Sequence, residues 1–313
     1  MRKNIIFFTV IVGFFLMVNG SFTNTTNAIK NEDFDKEEMK WREDRDKSMR
    51  SPTSWLTIAG LFWLDEGENT FGTDKTNKLV LPSGSAPSFC GKFILGEGRV
   101  KVIAAEGAGI KIEGEDIDEK ILTSDDQGNP DVLELKDLRM WVLKRGERYG
   151  IRMRDSNAQA YKEYKGLEFF PPREKFRMKG NFVPYDKEKT IEITTFAGTK
   201  AEMISPGSVL FALDGKEYRL EAFKADEKNT KLFIVFKDLT NEEKTFAKGR
   251  FLTVDVLENG KVDLNFNRAV NPPCNYTPYA TCPVPPHKAN WLNVRIEAGE
   301  KTYAGTTATK KYS

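Results

Sequence analysis

The residues best placed to do chemistry lie close together near the carboxyl end. In KVDLNFNRAVNPPCNYTPYATCPVPP, residues 261–286, alternation puts Val262, Leu264 and Phe266 on one side of a strand. Asp263, Asn265 and Asn267 fall on the other side. Arg268 and Asn271 follow at the strand end, and Tyr276 and Tyr279 stand among the prolines. A guanidinium beside carboxamides can hold a carboxylate or a sugar, and flat phenol rings can stack or hydrogen-bond. Asn267, Arg268, Asn271, Tyr276 and Tyr279 are therefore the candidate ligand-binding residues. The competing reading is structural. Prolines deny this stretch regular pairing, and the same polar side chains would then satisfy its stranded carbonyls.

Catalytic patterns are sparse. His287 is the single histidine, set between Pro286 and Lys288. No G-x-S-x-G elbow, H-E-x-x-H pair, phosphate loop or dinucleotide fingerprint occurs. Carboxylate pairs of the glycosidase kind stay open, because they form in space and 46 acidic residues offer many. No catalytic residue is assigned, and no cofactor is expected. Cys90, Cys274 and Cys282 make an odd count. In an oxidising compartment a Cys274–Cys282 disulfide is the natural pairing, with Cys90 as a buried thiol. Two buried free thiols are the alternative. A metal bound by both thiols and His287 would lack an evident fourth ligand, so no metal site is expected. Arg250 shares a strand face with Leu252, Val254 and Val256, and needs a carboxylate such as Asp238, Asp255 or Glu300.

These residues have to be positioned by a strand-rich scaffold. The composition, 39% hydrophobic and 30% charged over 313 residues, is that of a folded chain with room for two domains. Residues 1–20 read as a signal peptide: Arg2 and Lys3, then the apolar run Ile5 to Val18, then Gly20 and Ser21. That predicts export to the periplasm or beyond, with no membrane span after cleavage. Without Arg2 and Lys3 the chain carries 46 basic and 46 acidic residues. Formal neutrality argues against a nucleic-acid partner. Residues 21–50 hold a polar leader and then NEDFDKEEMKWREDRDKSMR, whose acids precede its bases as a helix dipole prefers. Phe34 and Trp41 give this helix a thin apolar stripe for docking on its own protein, and Ser51-Pro52 ends it. From Trp55 on, strands and turns alternate every eight to twelve residues, which predicts antiparallel β architecture. A first β domain is expected over 51–160 and a second over 165–305, with a proline-marked junction at 165–185. Asp214-Gly215 and Asn259-Gly260 mark tight turns. NWLNVRIEAG is expected as the last strand. The fold class is thus all-β, two packed sandwich or barrel domains with an amino-terminal helix.

The stretch NFNRAVNPPCNYTPYATCPVPP, with GRFLTVD before it and IEAGE after it, resembles the family called domain of unknown function 1684. SWLTIAGLFWLDEG, FGTDKTNKLVLP, IRMRD and GSVLFAL extend the resemblance over about Trp41 to Glu300. It departs at Asn265, where the family tends to carry aspartate. The family implies no activity. A fainter similarity in spacing, from FGTD to GERYGIRMRD, is to forkhead-associated sandwiches. Their phosphothreonine-reading residues have no counterparts here, so only a fold analogy follows. The expected partner is a small polar molecule or glycan at 263–286. The alternatives are a hydrolase of a cell-envelope or sugar substrate and a structural plug.

Overall fold

The computed structural model describes residues 32–286 and 288–305, so the expected signal peptide and His287 lie outside the described residues. Helix α1 (Glu32–Met49) opens the described chain, with Glu32, Asp33 and Asp35 in its first turn and Lys47 in its last. It buries Phe34, Glu38 and Met49. Trp41 meets Phe169 edge-on at 6.2 Å, so the apolar stripe docks on the protein's own surface. No helix of the described residues is long and apolar enough to cross a membrane.

The architecture is mostly β, in three sheets. Two of them share the first core. A six-stranded sheet runs in the order Ile58–Trp63, Arg148–Asp155, Leu138–Arg145, Leu133–Leu135, Lys111–Ile112, Glu115–Asp116. A five-stranded sheet runs Leu79–Val80, Gly67–Gly72, Gly91–Gly96, Arg99–Ala104, Glu119–Leu122. Pairing is antiparallel except for the short ladder of Phe71 and Gly72 with Leu79 and Val80. Period-two alternation sends Met140, Val142, Ile151 and Met153 inward to meet Phe71 and Phe93, whose rings stack at 4.6 Å.

The third sheet encloses the second core. Its order is Arg250–Asp255, Lys231–Phe236, Lys216–Lys224, Lys200–Leu213, Arg177–Thr194, Lys261–Asn265. A bridge between Val256 and Val262 brings its two outer strands together, so it nearly closes into a barrel. Val209, Phe211, Leu220, Ile234, Leu252, Leu264 and Phe266 fill it. Asp214-Gly215 turns with both φ values positive, and so does Asn259-Gly260. Two expectations are corrected. The junction at 165–185 is partly sheet: Arg177–Thr194 is one 18-residue strand. Pro184 is tolerated there because the register shifts between Pro184 and Lys189, where a missing N–H costs no ladder bond. NWLNVRIEAG forms no strand; it holds on through one bridge, Lys237 with Trp291, and backbone bonds such as that from the Leu239 N–H to the Val294 carbonyl at 3.0 Å. Between the two cores, Met49, Leu56, Tyr164, Tyr276 and Tyr303 form a small cluster.

Candidate functional site

The strand Lys261–Asn265 buries Val262 and Leu264 completely, then breaks into a 3-10 turn at Phe266–Arg268. Asn265 makes that break. Its Oδ1 accepts from the Asn267 N–H at 3.1 Å and the Asn267 side chain at 3.0 Å. Asn267 is fully buried and clamps Arg173, accepting from its N–H at 2.9 Å and donating to its carbonyl at 3.0 Å. Arg268 turns to α1. Its Nε donates to Glu38 at 3.1 Å and its Nη2 to Glu37 at 2.6 Å, with the guanidinium 5.9 Å from the Trp41 ring centre. Glu38 is wholly buried and also accepts from Asn265 Nδ2 at 2.8 Å. The Arg177 hydrogen bond, with help from Arg268, holds the Glu37 carboxyl below its usual range.

A second buried carboxylate organises the rest. Glu300 is fully buried and accepts from Arg45 Nε at 2.8 Å, the Asn271 N–H at 2.6 Å and the Tyr276 hydroxyl at 2.7 Å. Burial, and then the Glu300 charge, push the Tyr276 phenol well above its usual range. Asn271 also donates to the Lys301 carbonyl at 2.6 Å. Gly299 precedes this carboxylate with φ +80°. A Cβ there would sit 2.5 Å from the Ala269 carbonyl oxygen, so only glycine lets the two segments approach. Arg268 therefore faces Glu37 and Glu38, Asn267 faces Arg173, and Asn271 and Tyr276 face Glu300. Tyr279 is half-buried. The five candidate residues do not converge on one point.

The expected Cys274–Cys282 disulfide is not formed, and all three cysteines are free and buried. The two thiols are instead held as partners in a tight turn. The Cys274 N–H points at the Cys282 sulfur at 3.0 Å, and the Cys282 N–H at the Cys274 sulfur at 3.4 Å. Cys274 Sγ donates to the Ala280 carbonyl at 3.4 Å. These contacts stabilise the loop without a covalent link. Burial, reinforced by Cys274, pushes the Cys282 thiol well up, and burial pushes Cys90 up to about 11. Among the described residues, no group of three or more His, Cys, Asp or Glu could hold a metal ion.

Open space lies beyond the cysteines. Residues after Cys282 run along the sheet edge, with the Phe196 N–H donating to the Cys282 carbonyl at 2.7 Å and the Val284 N–H to that of Thr194 at 3.0 Å. Pro285 then packs on Gly249, where a Cβ would sit 2.7 Å from the proline ring. The result is a cavity of about 680 Å³ walled by Thr195, Phe196, Lys237, Lys248, Pro285 and Trp291. Trp291 is 48% exposed, with Lys237 Nζ 4.8 Å from its ring centre. The neighbouring Asn290 is fully buried. It accepts from the Glu221 N–H at 2.7 Å and donates to the Glu221 and Val235 carbonyls at 2.9 and 2.8 Å. That grip fixes the backbone from which the tryptophan projects.

Residues 162–301 match the family model described as Protein of unknown function (DUF1684). This stretch is therefore similar to that family. The match starts well after Trp41, so the first core lies outside it. Part of the chain is similar to the solution structure of an uncharacterized protein of Haloarcula marismortui, at 28% identity and a TM-score of 0.39. That similarity covers 46% of this chain and 80% of the other. No curated protein matches. Within the matched stretch, asparagine at position 265 has a physical reason. An amide donates to the buried Glu38, whereas aspartate would set two carboxylates against each other. Lys237, Lys248 and Trp291 escape sequence reasoning because they come from three separate stretches. The available signal was one tryptophan just past the proline run.

Proposed function

We propose that the protein is a binding module for a small polar ligand or glycan, seated in the cavity at the carboxyl end of the Pro/Cys segment. The observation that carries this reading is Trp291, half-exposed on a wall that also presents Lys237 and Lys248. An indole face packs against the C–H face of a sugar, and the Lys248 ammonium, beside a Lys237 that is 3.8 Å from Glu242, favours one that carries a carboxylate. About 680 Å³ suits one or two sugar rings. Lys248 has no carboxylate within 4.0 Å among the described residues, so its charge is available to a ligand. Arg268, Asn267, Asn271 and Tyr276 act as the frame of the site, by their bonds to Glu37, Glu38, Arg173 and Glu300.

Binding is favoured over hydrolysis because the cavity wall holds one carboxylate, Glu192, and Lys200 already pairs with it at 2.8 Å. Export is part of the proposal, supported by Arg2, Lys3 and the apolar run to Val18. Mass spectrometry of the secreted chain should find Ser21 at its amino terminus. The binding test is thermal unfolding against neutral and uronic-acid-containing oligosaccharides, in wild type, Trp291→Ala, Lys248→Met and Arg268→Met. The acidic sugars should raise the midpoint of wild type and of Arg268→Met, and of neither cavity variant. Equal shifts in Trp291→Ala, or no shift with any sugar, would overturn the reading.

A further inference from the structure

The hairpin of Leu138–Arg145 and Arg148–Asp155 has a second face, turned away from its core. Met140, Val142, Ile151 and Met153 point inward, so Arg139, Trp141, Arg152 and Arg154 share the opposite side. The register sets Trp141 across from Arg152 and Arg139 across from Arg154. Each arginine of the second strand lies against a tryptophan: Arg148 on Trp63 at 4.1 Å, Arg152 on Trp55 at 5.7 Å and Arg154 on Trp141 at 5.2 Å.

Counter-charges are scarce on this face. Arg139 pairs with Glu134 at 3.1 Å and Arg145 with Asp125 at 2.9 Å. Arg148, Arg152 and Arg154 have no carboxylate within 4.0 Å among the described residues. The Nε of Arg154 is buried with no hydrogen-bond partner, and so is that of the 5%-exposed Arg152. A guanidinium taken from water without an anion is costly, and burial accordingly lowers the Arg154 pKa. Arg152 spends its exposure on the other half of the chain, donating to Thr281 at 3.4 Å. Arg154 opens instead on a cavity of about 530 Å³, shared with Arg139, Lys136, Trp141, Val132 and Pro52. The acid in that wall, Asp137, already accepts from Asn157 at 2.8 Å.

We propose that this cavity is a binding site for a small aromatic anion, separate from the glycan cavity by Trp291. The anionic head, a carboxylate or a phosphate ester, meets Arg154 with Arg139 and Lys136 beside it. The ring lies against Trp141 and the apolar wall of Val132 and Pro52. An anion would give the Arg154 guanidinium the counter-charge it lacks, and a planar body matches the indole.

The test is calorimetric titration of the full chain with benzoate, phenyl phosphate and the uncharged benzyl alcohol. The variants are Arg154→Lys, Arg154→Met, Val132→Trp and Trp291→Ala. Ligands of this size should bind with Kd of about 1 mM. Arg154→Met should weaken the anions by about tenfold or more, and Arg154→Lys by less. Trp291→Ala should leave binding unchanged, so loss of the glycan reading does not remove this one. Benzyl alcohol should bind far more weakly than either anion. Binding of phenyl phosphate alone assigns a phosphate ester, and binding of both anions assigns a carboxylate as sufficient. If Arg154→Met fails to fold, Val132→Trp decides, because Val132 is 36% exposed and a larger side chain there closes the cavity at its rim. Failure of both anions to bind would overturn the proposal. So would anion binding that survives Arg154→Met and Val132→Trp, or benzyl alcohol binding as tightly as benzoate.

Discussion

Asn265→Asp changes one side-chain nitrogen to oxygen and should be among the most damaging isosteric changes in the protein. Asn265 is 6% exposed, and its Nδ2 donates to Glu38, which is wholly buried, at 2.8 Å. Two full charges at that distance repel by about 6 kcal/mol at an effective dielectric near 20. Arg268, 3.0 Å from Glu38, offsets part of this. The pair has an escape: one carboxyl can take up a proton and donate it to the other. At pH 7 this costs about 4 kcal/mol, the work of protonating a group whose unfolded pKa is near 3.9. That sets the ceiling, so the expected loss at pH 7 is about 2–4 kcal/mol. The folded variant then holds one more proton than its unfolded chain. Its deficit grows as pH rises, by up to about 1.4 kcal/mol per unit, and shrinks to about 1 kcal/mol at pH 5. The assay is urea unfolding followed by tryptophan fluorescence at pH 5, 6 and 7, with Asn265→Ala as a control whose loss should be flat with pH. A deficit under about 0.5 kcal/mol at pH 7, or one that does not change with pH, would refute the reasoning.

Arg45→Met leaves the Glu300 carboxylate buried with two donors rather than three, and Arg45 is 20% exposed. The loss should be about 2–3 kcal/mol, at the low end for a broken buried pair, with a coupling to Glu300→Gln of about 1–2 kcal/mol in a double-mutant cycle. Additive single losses would show that the pair does not hold the helix. Gly299→Ala should cost more than about 2 kcal/mol, since its φ of +80° disfavours a side chain and a Cβ would strike the Ala269 carbonyl; a wild-type urea midpoint would count against the close approach. Native protein should react negligibly with a thiol reagent at pH 8 and give three equivalents once unfolded without reductant, because all three cysteines are free and buried. A single equivalent would mean that Cys274 and Cys282 are bridged.

Much of the scaffold was legible because its signals are local. The acid-first helix, the turn glycines after Asp214 and Asn259, and the alternation of Val262, Leu264 and Phe266 each need only a few neighbouring residues to be read. The failures needed distant information. NWLNVRIEAG has the composition of a strand, but Asn290 spends its amide on Glu221 and Val235, and the segment stays irregular. Pro184 reads as a boundary because the bulge that follows it in its own strand cannot be seen without the partner strand. The cysteine pairing went wrong for a different reason. Spacing says that Cys274 and Cys282 can meet, and they do, but it does not say that their backbone N–H groups satisfy both sulfurs as thiols.

The candidate site shows the same limit most sharply. A proline-dense segment stripped of ladder bonds must satisfy its backbone through side chains, so it collects asparagine, arginine and tyrosine whether or not it binds anything. Residue types alone therefore do not separate a frame from a site. The partners do, and they lie far away in the chain: Glu38 and Arg268 are 230 positions apart, and Arg45 and Glu300 are 255. Where a polar residue of the segment finds such a partner it is frame, as at 265–276. Where the wall carries a charge without one, as at Lys248, or an aromatic face turned half to water, as at Trp291, a ligand has something to gain. By that criterion the segment has two ends with different work. The first seats α1 through two buried carboxylates, and the second shapes the cavity, with the paired thiols of Cys274 and Cys282 at the joint.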